Sequence, residues 1–310
     1  MNILVYTNFN EAQRIRLNKA LPEGSVLLFK ADLTAPELIP AFENAEIILG
    51  NPPATDFNRG SSKLLFWHID SAGIDQYQQL NLNVPVANMG AFFAQSCAET
   101  IVSGILCFYR QIHQLVRLQA EKKWEGKQIR TVLQGLTNKN VLILGAGAIA
   151  SAVKKMLSGF DCQVMTVARK NPSADLHDFN KVLEVLPEID LVINTLPGTA
   201  DNYVSTAFFN VLKPGSLYAN VGRGNTTDET ALIHALEIGK LAGAVLDVTE
   251  VEPLPANNVL WEMPNVILTQ HSGGGDENET EGKLDQFIAN IQHFMKGNKI
   301  QDLVDLKRGY

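Results

Sequence analysis

The sequence predicts an α/β fold with two doubly wound parallel sheets. Short runs of β-forming residues alternate with segments of helical period through both halves of the chain. A polar stretch at residues 120–132 interrupts this alternation without a strand of its own, and the alternation resumes at residue 140. Strands and helices in alternation are typical of parallel sheets that helices cover on both faces. We therefore expect two such sheets, with the polar stretch as a crossing between domains.

The first half of the chain contains five runs that are expected to form strands: NILVYT, SVLLFK, EIILG, LLFWHI and VPVAN. Two helices are expected between them, in EAQRIRLNKAL and APELIPAFENA. One longer helix is expected to follow over residues 95–120.

The second half contains six further strand-like runs: NVLILG, CQVMTVAR, LVINTLP, GSLYANVG, AGAVLDV and NVILTQH. The last predicted element is an amphipathic helix in LDQFIANIQHFMKG. Its apolar residues follow helical spacing, which indicates one buried face: Leu284, Phe287, Ile288, Ile291, Phe294 and Met295.

Composition limits the classes of protein to which the chain can belong. Of its 310 residues, 45% are hydrophobic and 19% are charged, which is typical of a globular protein with a sizeable core. The formal net charge of -7 argues against a general nucleic-acid or anionic-membrane surface. The three cysteines are far apart and fit neither a disulfide framework nor a metal site.

The termini and apolar segments give no sign of export or membrane insertion. The N-terminus lacks the basic region of a secretory signal. The most apolar long segment, residues 97–118, includes Glu99 and Arg110 and is expected to be a buried helix. We expect a soluble, cytoplasmic protein with no nucleic-acid, membrane or metal partner.

A glycine-rich turn in the second half has the pattern of a dinucleotide-binding site. Gly145, Gly147 and Ala150 have G-x-G-x-x-A spacing between an apolar strand and a helix, which is the context that this motif requires. Gly145 permits the turn, Gly147 admits a pyrophosphate, and the helix beginning near Ala148 and Ile149 offers free N–H groups. The alternative is a glycine-rich turn without a ligand.

The next strand indicates which nucleotide is preferred. NAD-binding units usually place Asp or Glu at the end of the second strand, where it binds the ribose 2′-hydroxyl. Here that strand ends in Ala168, Arg169 and Lys170. Two cations suit a 2′-phosphate, so NADP(H) is favoured over NAD(H), unless the pair is only a solvated basic turn.

Three chemically distinct side chains follow strands of the second half. Arg223 follows GSLYANVG, acids follow GAVLDV, and His271 ends VILTQH. Ligands of open α/β sheets bind beyond the carboxyl ends of the strands. An arginine can bind a carboxylate through two hydrogen bonds, a histidine can transfer a proton near neutral pH, and a carboxylate can orient the imidazole. With a nicotinamide, this set predicts reduction of a 2-keto acid.

Each of these residues also has an ordinary interpretation. A single strand-end histidine, a surface arginine in an ion pair and a solvated loop acid are all common, and only their joint placement after a nucleotide-binding turn favours catalysis. Gly222 and Gly224 flank Arg223. We interpret these glycines as clearance for the nicotinamide and the substrate.

The sequence resembles the D-2-hydroxyacid dehydrogenase family. The resemblance extends over nearly the whole chain and is densest from residue 141 to residue 275. The resemblance is carried by LPGTADNYVS, by LKPGSLYANVGRGNTTDETALIHALEIGKLAGAVLDVTEVEPLP, and by LWEMPNVILTQH. In the first half, IDSAGID is similar to a substrate loop of the family, and NMGAFFAQSCAETIVSGILCFYRQI to its hinge and interdomain helix.

The resemblance implies a role for each site residue. Arg223 would bind the substrate, Glu252 rather than Glu250 would pair with His271, and the amides of Ala72 and Gly73 would hold the substrate carboxylate. Asp247 matches a position that meets the nicotinamide carboxamide. The full expected set of cofactor-binding residues is Gly145, Gly147, Ala148, Ile149, Arg169, Lys170, Leu196, Pro197, Thr199, Val221, Asp247 and Gly273.

The resemblance also implies the domain plan and the branch of the family. Residues 1–95 with 277–310 would form a flavodoxin-like substrate domain, and residues 96–276 a Rossmann nucleotide-binding domain. The spacing of the three catalytic residues and the basic pair are closest to the glyoxylate/hydroxypyruvate reductase branch. A homodimer through the cofactor domain is expected. One departure concerns catalysis, because Gln270 stands where the family usually has proline.

Two other functions remain as alternatives. A nucleotide-sensing, corepressor-like binding protein shares this fold, and D-3-phosphoglycerate dehydrogenase shares the motifs. The chain shows neither a disordered tail nor room for a regulatory domain after the last helix, so reduction of a small 2-keto acid such as glyoxylate or hydroxypyruvate is the preferred reading.

Overall fold

All strands of the protein run parallel to their sheet neighbours. The computed structural model describes residues 1–60 and 62–308, and these contain a five-stranded and a six-stranded sheet. The chain divides into two compact units, Met1–Phe93 with Asp276–Tyr310 and Ala94–Gly275. The predicted α/β class with two parallel sheets is therefore confirmed. The functions assigned to the two domains stay a prediction.

The first unit is built on the five-stranded sheet. Its strands are β1 (Asn2–Val5), β2 (Val26–Phe29), β3 (Ile47–Leu49), β4 (Phe66–His68) and β5 (Val86–Ala87). Its helices are α1 (Glu11–Lys19), α2 (Ala35–Glu43) and, numbered along the whole chain, α10 (Glu279–Met295). The strand order β2-β1-β3-β4-β5 is that of flavodoxin-like folds.

Local sequence accounts for the starts of the first two helices. Asn10 and Gln13 form a reciprocal capping box at α1, and Thr34 and Glu37 form another at α2. The C-terminal helix α10 completes the core of this unit, because its apolar face packs in one cluster with the first strands. The buried residues of that face are Leu284, Phe287 and Ile291.

The second unit is built on the six-stranded sheet. Its strands are β6 (Asn140–Leu144), β7 (Gln163–Val167), β8 (Leu191–Asn194), β9 (Ser216–Asn220), β10 (Leu241–Leu246) and β11 (Val266–Leu268). Its helices are α3 (Ala94–Tyr109), α4 (Ile112–Ala120), α5 (Gly126–Arg130), α6 (Ala148–Leu157), α7 (Phe179–Val185), α8 (Thr206–Val211) and α9 (Glu229–Glu237). The order β11-β10-β9-β8-β6-β7 reverses direction at β6, which creates a switch point between β6 and β8.

Two expectations about residues 95–132 differ from the structure. The single long helix is broken into α3 and α4 at Gln111, whose φ of 55° is left-handed and whose side-chain amide donates to the Phe108 carbonyl at 3.0 Å. The polar stretch 120–132 lies inside the second unit and contains α5. None of the helices in the described part of the chain is long and apolar enough to span a membrane.

Candidate active site

The carboxyl ends of five neighbouring strands of the second unit form a continuous row of contacts. A Cβ built on Gly145 would lie 2.4 Å from Thr195 Oγ1, and one built on Gly222 would lie 2.5 Å from the Leu196 carbonyl oxygen. A Cβ on Gly224 would overlap the Thr249 carbonyl group. The loops after β6, β8, β9 and β10 therefore pack directly against one another. Asp247, after β10, continues the row to the loop after β11.

The glycine turn after β6 fits a dinucleotide. Gly145 has a φ of 114°, which favours glycine, and its N–H donates to the Val167 carbonyl at 2.8 Å. A Cβ on Gly147 would meet nothing within 4 Å, so the backbone is open to a close approach. Within the described residues no side chain caps α6, which leaves the amides of Ala148 and Ile149 free to bind an anion.

The basic turn after β7 is joined to this glycine turn. Arg169 and Lys170 are exposed. Asn171, directly after them, donates from Nδ2 to the Ala146 carbonyl at 3.1 Å. The structure therefore brings the two predicted parts of the nucleotide site together. The hydrogen bond from Asn171 was not predicted from the sequence, because an asparagine in a turn does not indicate which distant carbonyl its side chain will reach.

The loop after β8 adds the remaining predicted cofactor residues. Leu196 N donates to Asn194 Oδ1 at 3.0 Å, and the Pro197 carbonyl accepts from Ala200 N, which closes a turn that exposes Thr199. Val221, at the end of β9, is buried, and its N–H donates to the Asn194 carbonyl. The predicted segment 196–199 thus lies beside Gly222, next to the arginine.

Arg223 follows β9 with extended backbone, and its Nη1 donates to the Gly222 carbonyl at 2.9 Å. The structure gives its flanking glycines a reason other than the clearance expected from the sequence. Gly222 is crowded by the backbone of the β8 loop and Gly224 by the backbone of the β10 loop. Both glycines therefore permit close packing of neighbouring loops against the arginine.

The predicted histidine and carboxylate lie together. His271 Nδ1 is 2.5 Å from Glu252 Oε2, and Glu252 Oε1 accepts the Thr249 N–H at 3.0 Å. Glu250 is engaged elsewhere through its backbone, which donates to Glu229. With Nδ1 on the carboxylate, Nε2 of His271 is the atom left to face a substrate. About half of the imidazole is exposed, at 51% of its maximum.

The His271 loop is held by Asp247. The Asp247 carboxylate accepts hydrogen bonds from Thr269 Oγ1 at 2.6 Å and from the amides of Ser272 and Gly273 at 3.1 Å, and the Asp247 carbonyl accepts the His271 N–H at 2.5 Å. The contact of this buried aspartate with the nicotinamide carboxamide stays a prediction. Its observed hydrogen bonds order the His271 loop, a role for which the sequence carried no signal.

Gln270 and His271 both have left-handed backbone, with φ of 54° and 53°. Proline fixes φ near -65° and cannot adopt this conformation. The glutamine at the position where the family usually has proline is therefore consistent with the shape of this loop. Left-handed backbone costs non-glycine residues roughly 1–2 kcal/mol each, so the Asp247 hydrogen bonds must offset this cost.

A cavity of about 390 Å³ adjoins the histidine–glutamate pair. Its lining includes the apolar side chains of Leu254, Trp261 and Leu268 together with the polar side chains of Glu252 and His271. The pair therefore has apolar side chains near it as well as solvent.

The predicted substrate loop is in the first unit. Asn88 Nδ2 donates to the Ala72 carbonyl at 2.6 Å and Ser71 Oγ donates to the Gly73 carbonyl at 2.7 Å, so the loop is fixed through its acceptors. Over residues 1–60 and 62–308, neither the Ala72 nor the Gly73 N–H makes a hydrogen bond. Both amides are thus available as anion donors, which fits a carboxylate.

Comparison with known proteins identifies the family. The sequence model described as "D-isomer specific 2-hydroxyacid dehydrogenase, NAD binding domain" matches residues 102–273, more than half of the chain. The chain belongs to the D-isomer specific 2-hydroxyacid dehydrogenase family. This 2-hydroxyacid dehydrogenase is accordingly an oxidoreductase with an NAD(P)-binding domain, and the predicted family resemblance is confirmed.

Individual relatives cover the full length of the dehydrogenase. It is 28% identical to glyoxylate/hydroxypyruvate reductase A of Serratia proteamaculans, over 100% of both chains. Its fold is similar to that of a D-isomer specific 2-hydroxyacid dehydrogenase family protein from Aeromonas salmonicida, with a TM-score of 0.83, 26% identity and 98% of each chain covered. A dehydrogenase from Xanthobacter autotrophicus, solved with NADPH and MES, has a TM-score of 0.81, 26% identity and 99% coverage of each chain.

Proposed function

We propose that this dehydrogenase uses NADP(H) to interconvert a small 2-keto acid and its 2-hydroxy acid. The observation that carries the proposal is the 2.5 Å contact between His271 Nδ1 and Glu252 Oε2 in the same row of strand ends as Arg223. A positioned imidazole, its carboxylate partner and a carboxylate-binding cation are the groups that the reduction of a 2-keto acid requires.

Arg223 is proposed to bind the substrate. Its guanidinium can donate two parallel hydrogen bonds to the substrate carboxylate and hydrogen-bond the adjacent keto oxygen, where negative charge develops during reduction. In the first unit, the amides of Ala72 and Gly73 are proposed as further donors to the carboxylate. Their lack of acceptors within the described residues supports this role.

His271 is proposed as the general acid. As an imidazolium it gives its Nε2 proton to the keto oxygen, and in the reverse direction the neutral ring takes the hydroxyl proton. Glu252 fixes the ring through Nδ1, while the Thr249 amide orients the carboxylate. When bound, the nicotinamide cofactor supplies the hydride that adds to the carbonyl carbon.

The basic turn supports a preference for NADP(H). Arg169 and Lys170 stand where an NAD-specific unit usually has an acid, and Asn171 ties their turn to the glycine turn. The similar Xanthobacter dehydrogenase was solved with NADPH. Two exposed cations beside the ribose site would bind the 2′-phosphate, which NADH lacks.

Glyoxylate and hydroxypyruvate are the substrates that we propose first. The Serratia relative that matches the whole chain carries the name glyoxylate/hydroxypyruvate reductase A. Both compounds are small 2-keto acids with a single carboxylate, which suits one arginine.

A homodimer is proposed through helix α4 and the segment after it. No residue of α4 is buried, although the helix is amphipathic and carries Ile112, Leu115 and Val116. Trp124, just beyond it, is 98% exposed. Large apolar side chains grouped on one surface are typical of an interface. Light scattering of wild type and Val116→Glu would test it, because a dimer should dissociate in the variant whereas a monomer should not change.

The experiment that tests the function is NADPH oxidation with a panel of 2-keto acids, with NADH measured alongside. We expect turnover with glyoxylate or hydroxypyruvate and a lower KM for NADPH than for NADH. Tight NADPH binding without turnover of any 2-keto acid would contradict the proposal and favour a nucleotide-sensing binding protein. The cytoplasmic location stays a prediction from the sequence.

A further inference from the structure

We propose that Thr226 is a positioning residue for Arg223, and that Asn194 links it to the loop that begins at Leu196. The inference rests on the proposed function in one respect, because it assumes that Arg223 acts on the substrate. Neither residue is part of the glycine turn, the basic turn or the histidine–glutamate pair.

The Arg223 carbonyl accepts hydrogen bonds from three donors. Thr226 Oγ1 donates to it at 2.6 Å, Asn220 Nδ2 at 3.2 Å and the Thr226 N–H at 3.3 Å. The other end of the Asn220 amide, Oδ1, accepts the Gly222 N–H at 3.0 Å. The backbone on both sides of the arginine is therefore fixed by side chains beneath it, and the direction of its side chain is set by that backbone.

Asn194, at the end of β8, extends this set of hydrogen bonds to the neighbouring loop. Its Oδ1 accepts the Leu196 N–H at 3.0 Å, and its Nδ2 donates to Thr226 Oγ1 at 2.8 Å. The hydroxyl of Thr226 thus accepts from Asn194 and donates to the Arg223 carbonyl. A continuous series of hydrogen bonds therefore connects Leu196, in the predicted cofactor segment, with Arg223, the predicted substrate-binding arginine.

The chain of hydrogen bonds is enclosed. Asn194 and Thr226 are fully buried and Asn220 is 1% exposed. A buried polar group without a partner destabilises a protein, so the geometry of such a network is strongly determined. Removing the Thr226 hydroxyl would take the shortest of three hydrogen bonds from the Arg223 carbonyl. It would also take one acceptor from the Asn194 amide, which keeps its bond to the Tyr218 hydroxyl at 2.9 Å. We expect the loop 222–226 to loosen.

Thr227 provides a matched control. It is also buried, at 4% exposure, and its hydroxyl lies 2.5 Å from the Tyr218 hydroxyl. The same hydroxyl accepts longer bonds from the amides of Asn220 at 3.3 Å and Asn194 at 3.5 Å, whereas it is the Thr226 hydroxyl that bonds the Arg223 carbonyl, at 2.6 Å. Thr226→Val and Thr227→Val therefore make the same chemical change in the same cluster. Thr226→Ser restores the hydroxyl without the methyl group.

The test compares these three variants with wild type. In Thr226→Val we expect KM for the 2-keto acid to rise about tenfold, from the loss of the two buried hydrogen bonds of the hydroxyl. Thr226→Ser should recover most of this loss, and Thr227→Val should stay within about twofold of wild type. The Kd for NADPH should change little in all three. Equal KM in the two valine variants would overturn the inference.

Hydrogen exchange gives a second measurement that does not depend on turnover. Amides of residues 222–227 should exchange faster in Thr226→Val than in Thr227→Val. Equal exchange would refute the positioning role, even if the wild type reduced no 2-keto acid and the proposed function itself had failed. If Thr226→Val does not fold, Thr226→Ala and Thr227→Ala are compared in the same two measurements, with the same outcomes.

Discussion

His271 and Glu252 form a hydrogen-bonded pair in which each residue makes a further hydrogen bond that fixes its orientation. The imidazole Nδ1 lies 2.5 Å from one carboxylate oxygen, and the other oxygen accepts the Thr249 amide. The histidine backbone is in turn bonded to the Asp247 carbonyl. The arrangement leaves Nε2 of His271 for the substrate.

Replacing His271 with alanine should lower kcat for 2-keto acid reduction by about 10²- to 10⁴-fold, the usual contribution of a general acid. The Kd for NADPH should change less than about twofold, because no cofactor contact is expected from this ring. Steady-state kinetics and fluorescence titration measure the two quantities. His234→Ala, on the exposed side of α9, is the control, and retained turnover in His271→Ala would show that the proton has another source.

Glu252→Gln should lower kcat for 2-keto acid reduction by about tenfold or more, the usual effect of losing a charge-assisted hydrogen bond. The carboxylate holds the ring through Nδ1, and a neutral amide makes a weaker bond there and orients the imidazole less well. Glu250→Gln removes the same charge two residues away. A loss of equal size in both variants would assign the effect to general charge rather than to the pair.

Arg169→Asp should raise KM for NADPH by about 10- to 100-fold, because a charge-assisted hydrogen bond to phosphate is worth about 1.5–3 kcal/mol. KM for NADH should change far less, since NADH has no 2′-phosphate. The exposed Lys299→Asp in the first unit changes the net charge equally and serves as control. Equal changes in KM for NADPH and NADH would mean that the basic turn does not bind the 2′-phosphate.

Gln270→Pro should reduce both stability and kcat, although it introduces the residue that is usual in the family. The φ of 54° at this position is outside the range of proline, so the loop would have to rearrange and move His271. Gln270→Gly should instead be tolerated, because glycine adopts left-handed backbone without cost. Thermal unfolding and kcat of both variants test this, and a fully active, stable proline variant would contradict the observed loop conformation.

His68 should make the first unit sensitive to acid. Burial lowers the pKa of His68 to about 4, while its Nδ1 bonds the Ile69 carbonyl and its Nε2 accepts from Asn290 on α10. The unfolded chain, with a histidine pKa of about 6.5, binds more protons than the folded one between these values. Stability is therefore lost as the pH falls from about 6.5 toward 4.

Thermal unfolding of wild type and His68→Gln at about pH 7 and about pH 5 measures this contribution. The variant should have a smaller difference between the two conditions than wild type, even if it is less stable at neutral pH. His234→Gln, on the protein surface, should retain the wild-type difference. An unchanged difference in His68→Gln would show that other groups cause the acid sensitivity.

The sequence was sufficient for the strands and the nucleotide turn because both depend on local pattern. The run VLIL predicts a strand, and the glycines and helix-forming residues that follow it predict a turn and a helix within a few residues. The break at Gln111 and the left-handed pair at 270–271 were not predictable, since non-glycine residues adopt this backbone only where tertiary contacts impose it. The Asp247 bonds and the Asn194–Thr226 chain join residues 22 to 32 positions apart, and no local pattern encodes them.

The return of α10 to the first unit bears on the order in which the protein folds as it leaves the ribosome. The second unit is one uninterrupted segment, Ala94–Gly275, and can close its own core as soon as that segment emerges. The first unit cannot, because Leu284, Phe287 and Ile291 fill a core begun by the first strand. Residues 1–93 therefore expose apolar surface throughout synthesis of the second unit, and this interval is when the nascent chain most needs a chaperone.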